Sequence, residues 1–331
     1  MTLDDRVAAL APFGVTPRQA RFLVIVALHS GYCLRRQYEA FAGLQYGKNV
    51  RDFLDGLVAR QLAERFTGRA DRGHIYHVHA RRLYRALGQE DNRNRRSASA
   101  AQIARKVMGL DYVLRRPDVT WYATEDEKVD LFVTRFGVTR DQLPRRVFDS
   151  SAGAPRTTRY FLHKLPIGVV GEPPVVHFVY PVTDARGDGL AAFLRDHARL
   201  FRAVPAWAVV AIGAKTGPGF RMCRAVFERH ALNAPPPPTV ADLRWYFERR
   251  QTIDRGEIAR IGVRDLARFR ELRDRLNDPV HERRYAAWLA TGAIAPASES
   301  ETAPRPPIHG QLLIEPLPFT YEQFGSLPGV A

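Results

Sequence analysis

The chain has 331 residues, with 50 Lys and Arg against 35 Asp and Glu and a formal net charge of +15 at pH 7. That length suffices for two domains or for one plus extensions, and the basic excess points to a polyanionic partner, nucleic acid before others. Two cysteines without CxxC spacing exclude a disulfide framework and a zinc knuckle, MTLDDRVAAL lacks the basic and apolar regions of a signal peptide, and no apolar run approaches ~20 residues. The expectation is a reduced, cytoplasmic, bacterial chain with no membrane span, no metal and no cofactor. Only Lys48, Lys106, Lys128, Lys164 and Lys215 are lysines, so the Arg bias also fits a GC-rich genome, and charge alone proves nothing.

Thr16-Pro17-Arg18-Gln19 places a capping hydroxyl, a proline at the first helical position and a Gln three residues after the Thr. A buried helix is expected to start there, run through ARFLVIVAL and stop at Ser30-Gly31. Leu34, Tyr38 and Phe41 share helical spacing in a second short helix, and Gly43 to Gly47 supplies a turn. From Lys48 to Gln61, Val50, Phe53, Leu54, Leu57 and Val58 form one face while Lys48, Asn49, Arg51, Asp52 and Asp55 fall outside it. Leu62–Thr67 and His74–His79 are strand-like, joined by a turn with glycines at both ends. Three helices and a basic-tipped hairpin in that order predict a winged helix-turn-helix over residues 1–88. Within Met1 to Arg96, 17 Arg and Lys face 9 Asp and Glu, an excess of eight suited to a DNA backbone.

Residues 89–100 are polar and read as a linker. Beyond them, an α/β domain is expected over 101–234. Its elements are an amphipathic helix from Ala100 to Arg116, a short helix capped by Thr124 with Glu125, Asp126 and Glu127 in its first turn, and extended segments at Thr158–Leu162 and Ile167–Val170. Val175–Val182, a helix over Gly189–Phe201 and Ala206–Ile212 then read as strand, helix, strand, and so as a parallel pair. A helical appendage or dimerisation arm follows at 239–294. The tail, 295–331, turns apolar again at Ile308–Phe319 and is expected to dock, on this chain or another.

A restriction-type nuclease needs an Asp on one strand and an acid-x-Lys pair on the next, to hold metal and steady the attacking water. VVHFVYPV has no acid, and neither Asp184 nor Asp188 has a lysine two residues on. His74, His77 and His79 have no Cys or acid nearby to complete a metal site, and the GAKTGPG loop lacks the glycine spacing of a phosphate loop. No catalytic residue is assigned.

TPRQARFLVIVAL and VRDFLDGLVARQLAERF resemble the replication-relaxation family of plasmid and integrative-element proteins, and HFVYPVTDARGDGLAAFLRDHARLFRAVPAWAVVAIG is similar to that family's second domain. The resemblance covers Thr16 to about His230. It implies a winged helix followed by a restriction-endonuclease-like α/β core, here degenerate, within a mixed α+β chain. The function expected is double-stranded DNA binding in a mobile element, as transcriptional regulator or as replication or transfer accessory factor. Lys48, Asn49 and Arg51 would enter the major groove; Arg65, Arg69, Arg72 and His74 would contact phosphate or the minor groove from the hairpin; Arg35 and Arg36 would anchor the backbone. The second domain would serve as a scaffold for a homodimer or a partner. Alternatives are a metal-dependent nuclease or relaxase partner, drawing acids from Asp184, Asp188 and Glu125 to Asp130, and a winged helix that contacts protein.

Overall fold

Two capping boxes open the chain. In the computed structural model, which describes residues 1–44, 47–67, 73–148, 157–183, 187–214, 219–232, 238–257, 261–276, 279–294 and 310–321, Thr2 and Asp5 cap α1 (Leu3–Ala9), for which no expectation was drawn. Thr16 and Gln19 cap α2 (Pro17–His29): the Gln19 N–H donates to Thr16 Oγ1 at 3.3 Å and the Thr16 N–H to Gln19 Oε1 at 2.9 Å. β1 (Tyr32–Leu34), α3 (Arg35–Ala42), α4 (Lys48–Ala59), β2 (Ala63–Thr67), β3 (His74–Val78) and α5 (Arg81–Ala86) follow. The strands form an antiparallel sheet in the order β1-β3-β2. Phe22, Tyr38, Phe53, Leu54 and Leu57 fill the space between α2, α3 and α4, with Tyr38 and Phe53 rings 4.4 Å apart. Each such side chain contributes about 1.5–3 kcal/mol by leaving water.

Residues 89–100 are not a linker. Asn94, 7 % exposed in a short helical turn (Arg93–Arg95), donates Nδ2 to the carbonyls of Ala27 and Leu28 at 3.0 Å each. His77 Nε2 donates to the Asn94 carbonyl at 3.0 Å, and Lys106 Nζ to its Oδ1 at 2.8 Å. Gly31, at φ +76°, allows this approach, since a Cβ there would lie 2.3 Å from the Asn94 carbonyl oxygen. The Asn94 side chain thus satisfies two of the last carbonyls of α2, which have no partner within the helix.

α6 (Ala100–Arg115) buries Ile103, Val107, Leu110 and Val113 of the stripe that the sequence spacing predicts, and leaves its fifth member, Leu114, half-buried. After it come β4 (Thr120–Tyr122), α7 (Glu125–Asp130), a two-stranded ribbon of β5 (Arg145–Phe148) and β6 (Thr157–Tyr160), then β7 (Ile167–Val170), β8 (Val175–Pro181), α8 (Asp188–Ala203), β9 (Trp207–Ala214) and α9 (Gly219–Phe227). The larger sheet runs β10-β9-β8-β7-β4, where β10 is Gly310–Leu317. β4, β7 and β8 pair antiparallel; β8 pairs parallel with β9 across α8, and β9 parallel with β10. The tail therefore docks on its own chain as an edge strand. On one face, Phe178 and Trp207 pack with Phe193, His197 and Phe201 of α8; Phe201 stacks on Trp207 at 3.9 Å. On the other, Val179, Val210, Ile212 and Leu317 join Val107 and Tyr112 of α6 and reach Tyr32, Leu34 and Ile75 of the smaller sheet.

That shared core overturns the expected division at 88 and 101. Met1–Phe227 with His309–Ala331 is one compact unit, and Glu228–Ile308 is another. The second unit holds α10 (Val240–Asp254), α11 (Val263–Leu276) and α12 (Pro279–Thr291) around Leu243, Tyr246, Phe247, Phe269, Leu272 and Tyr285. Arg250 grips Glu282 with two hydrogen bonds of 2.7 and 2.9 Å. The chain is thus a mixed α+β protein, and among the described residues no helix is long and apolar enough to cross a membrane.

Candidate nucleic-acid interface

α4 is built to show one face. Val50, Phe53, Leu54 and Leu57 are buried, which turns Lys48, Asn49, Arg51 and Asp52 to solvent. The side chains of Lys48, Asn49 and Arg51 form no hydrogen bond or ion pair among the described residues, so nothing there competes for their donors. Gly47 precedes the helix without a side-chain cap, leaving the first N–H groups of α4 unclaimed by a neighbouring side chain. At the other end of α4, Arg65 of β2 meets Asp55 at 3.4 Å, a link between helix and strand that leaves Arg65 half exposed.

The remaining predicted contacts divide. Arg35 is exposed and pairs with Glu39 one turn on, at 3.2 Å. Arg36 is not a free phosphate anchor: its Nη1 and Nη2 donate to Asp111 Oδ1 and Oδ2 at 2.5 and 2.7 Å, and its guanidinium lies 3.6 Å from the Phe319 ring centroid. A cation held by a buried carboxylate from α6 and covered by an aromatic ring from the tail is committed inside the fold. His74 begins β3, half-buried, with its ring 6.4 Å from Tyr76 and its Nδ1 unpartnered among the described residues. Arg69 and Arg72 lie outside the described residues.

The other two histidines of the hairpin have structural surroundings. His77 is 3 % exposed, stacked on Tyr32 at 4.1 Å, and burial holds its imidazole down to about 4. His79 lies 5.7 Å from it, ring to ring. Among the described residues no three His, Cys, Asp or Glu side chains are grouped to hold a metal ion. Burial raises the Cys33 thiol to about 12, so it carries no thiolate at neutral pH.

The acids weighed for a nuclease have other partners. Glu127 Oε1 accepts from Arg6 at 2.6 Å, and its Oε2 accepts from the Ala123 and Thr124 N–H groups at 2.8 and 3.0 Å. Burial pushes this carboxyl up, but those hydrogen bonds outweigh it and leave the group lowered. Glu125 Oε1 accepts the Tyr160 N–H at 2.8 Å, and Asp130 Oδ1 the Thr134 hydroxyl at 2.7 Å. Asp188 starts α8, and Asp184 lies outside the described residues.

Arg81 and Arg82, on the helix that follows the hairpin, are not among the DNA contacts expected from the sequence. With Gln61, Glu64, Arg65 and His79 they line an open surface groove beside β2. Arg82 donates to the Arg60 carbonyl, and Arg81 and Arg85 share Glu90 at 2.6 and 2.7 Å, the Arg85 hydrogen bond helping to hold that carboxyl at about 2. The sequence signal for them is the RRLYR run directly after the hairpin. Fold and surface together define a mixed α+β protein with an amphipathic helix whose exposed first turn carries Lys48, Asn49 and Arg51 beside Asp52. No family model matches the chain, and neither a curated protein nor a solved structure matches it at a significant level.

Proposed function

We propose that the chain binds double-stranded DNA through α4, as a winged helix-turn-helix protein of a bacterial mobile element acting in transcription, replication or transfer. The observation that carries this reading is the exposed, unpartnered row of Lys48, Asn49 and Arg51 on a helix whose opposite face is locked into the core. An amphipathic helix with donors in its first turns fits a major groove, where Arg and Lys pair with guanine and Asn with adenine. The order α2, β1, α3, α4, β2, β3 supports the winged-helix assignment, with β2 and β3 as the wing. The order α6, three antiparallel strands, α8 and a parallel strand supports a restriction-endonuclease-like core. In this reading that core is a scaffold, since Glu125, Glu127 and Asp130 are occupied by structural hydrogen bonds.

The test is a salt titration on duplex DNA from the gene's own upstream region, with magnesium in a parallel sample. Lys48→Ala/Arg51→Ala is expected to weaken binding at least about tenfold and to make the log-affinity against log-salt slope shallower by about 2. The DNA should stay intact in magnesium. Unchanged affinity and slope in the double variant would remove α4 from the interface, cleavage would restore the nuclease reading, and no binding would favour a protein partner.

A further inference from the structure

A second group of cations in the Met1–Phe227 unit has no part in the α4 contact. The β5–β6 ribbon stands apart from the five-stranded sheet, and its register sets Arg146 directly opposite Arg159. Both are exposed. Like charges facing each other across an antiparallel pair destabilise the ribbon that carries them. Arg159 reaches Glu125 only at 4.0 Å, and that carboxylate already accepts the Tyr160 N–H through its other oxygen. Phe148, on the ribbon face shared with Arg146 and Arg159, is 38 % exposed.

After β6 the chain turns through Phe161 and Lys164, both at φ +50° in the left-handed region. The turn places Lys164 near Arg93, Arg159 and Arg96 and near one opposing acid, Glu125; burial first, and then the arginines, which outweigh Glu125, bring its ammonium down to about 8. Lys106 is held at about 8 by burial and by Lys164, and burial and Lys164 lower Lys128 against the opposing pull of Glu127 and Glu125. Arg93 and Arg96 are exposed on the turn whose middle residue, Asn94, is pinned to α2, so their backbone positions are fixed before any ligand arrives.

Cations held close on rigid elements repel one another unless an anion neutralises them, and a duplex backbone offers one charge per about 1.7 Å of axis. The geometry points to a second DNA-backbone site, formed by Arg93, Arg96, Arg146, Arg159 and Lys164, that makes sequence-independent phosphate contacts while α4 reads bases. This rests on the DNA-binding reading above. Two-stranded ribbons are themselves a known way to present side chains to DNA, and an exposed aromatic beside the arginines adds a surface for the sugar edge.

The experiment measures binding of the full chain to a long random-sequence duplex and to its own upstream duplex at several salt concentrations. Arg93→Ala/Arg96→Ala/Arg159→Ala/Lys164→Ala is expected to lose at least about tenfold in affinity for both duplexes, with a salt slope shallower by about 3 to 4. The preference between duplexes should be kept, whereas Lys48→Ala/Arg51→Ala should reduce it. Because like charges are removed, the thermal midpoint should hold or rise at low salt. If it falls, Arg146→Gln/Arg159→Gln, confined to the ribbon, gives the same reading with a slope change of about 2. If the wild type binds and neither patch variant changes affinity or slope, the second site is wrong and the α4 reading stands. If the wild type binds neither duplex, both are wrong.

Discussion

Acidification from pH 7 to pH 5 is expected to cost the Met1–Phe227 unit about 4 kcal/mol of stability through His77 and His197, and more through His29, whose imidazole burial also holds down to about 3. His197, 2 % exposed, sits among Phe193, Phe178 and Phe201 and donates Nδ1–H to the Phe193 carbonyl at 2.9 Å; burial holds it at about 3, as burial holds His77 at about 4. In the unfolded chain both imidazoles take up a proton near pH 6.5. Between that pH and the folded values the unfolded state binds more protons, so stability falls as pH falls, by up to about 1.4 kcal/mol per pH unit for each histidine. Above pH 7 neither contributes a slope. Urea unfolding at pH 7, 6 and 5 reads this directly, and His197→Phe, which fits the aromatic surroundings, should remove about 2 kcal/mol of the loss. A midpoint that does not move with pH would mean that the two rings are charged or solvated in the folded state.

Asp111→Ala is expected to cost about 3 kcal/mol, which for a unit of this size is a fall of roughly 6 to 12 °C in Tm. Asp111, 3 % exposed, receives both Arg36 donors and the Tyr321 hydroxyl at 2.6 Å. It therefore joins α3, α6 and the segment after β10. Removing the carboxylate strands the guanidinium, whose side chain is 27 % exposed, against Phe319 and leaves the buried Tyr321 hydroxyl without its acceptor. The cost arises from the partners left behind rather than from the pair's own strength, so Arg36→Met/Asp111→Leu should recover at least half of it. Thermal unfolding of the wild type and both variants checks this; a neutral Asp111→Ala would show that the tail does not hold the fold through this residue.

The parts legible in the sequence were those whose signal is local. Thr16 and Gln19 fixed the start of α2, the stripe from Val50 to Leu57 fixed which side of α4 faces water, and the apolar runs at Val175 and Ala206 fixed two central strands. What could not be read locally was pairing at a distance. β1 has three residues, too few to show alternation, and is a strand only because β3 lies beside it. Gly310–Leu317 looked like a docking tail, and its place beside β9 depends on an edge more than 90 residues earlier. Arg36 looked as available as Arg35 because nothing near it in the chain announces Asp111 or Phe319. The segment 89–100 misled for the same reason: Asn94 is polar, but its partners are main-chain carbonyls from α2.

The proposed contact between α4 and duplex DNA can be tested at a single position. A photoactivatable benzophenone side chain in place of Asn49, irradiated with the upstream duplex, is expected to form a protein–DNA adduct that high salt suppresses, while the same group in place of the exposed Asp126 on α7 forms little. No adduct at position 49, or equal yields from 49 and 126, would contradict the assignment of α4 as the DNA-reading helix.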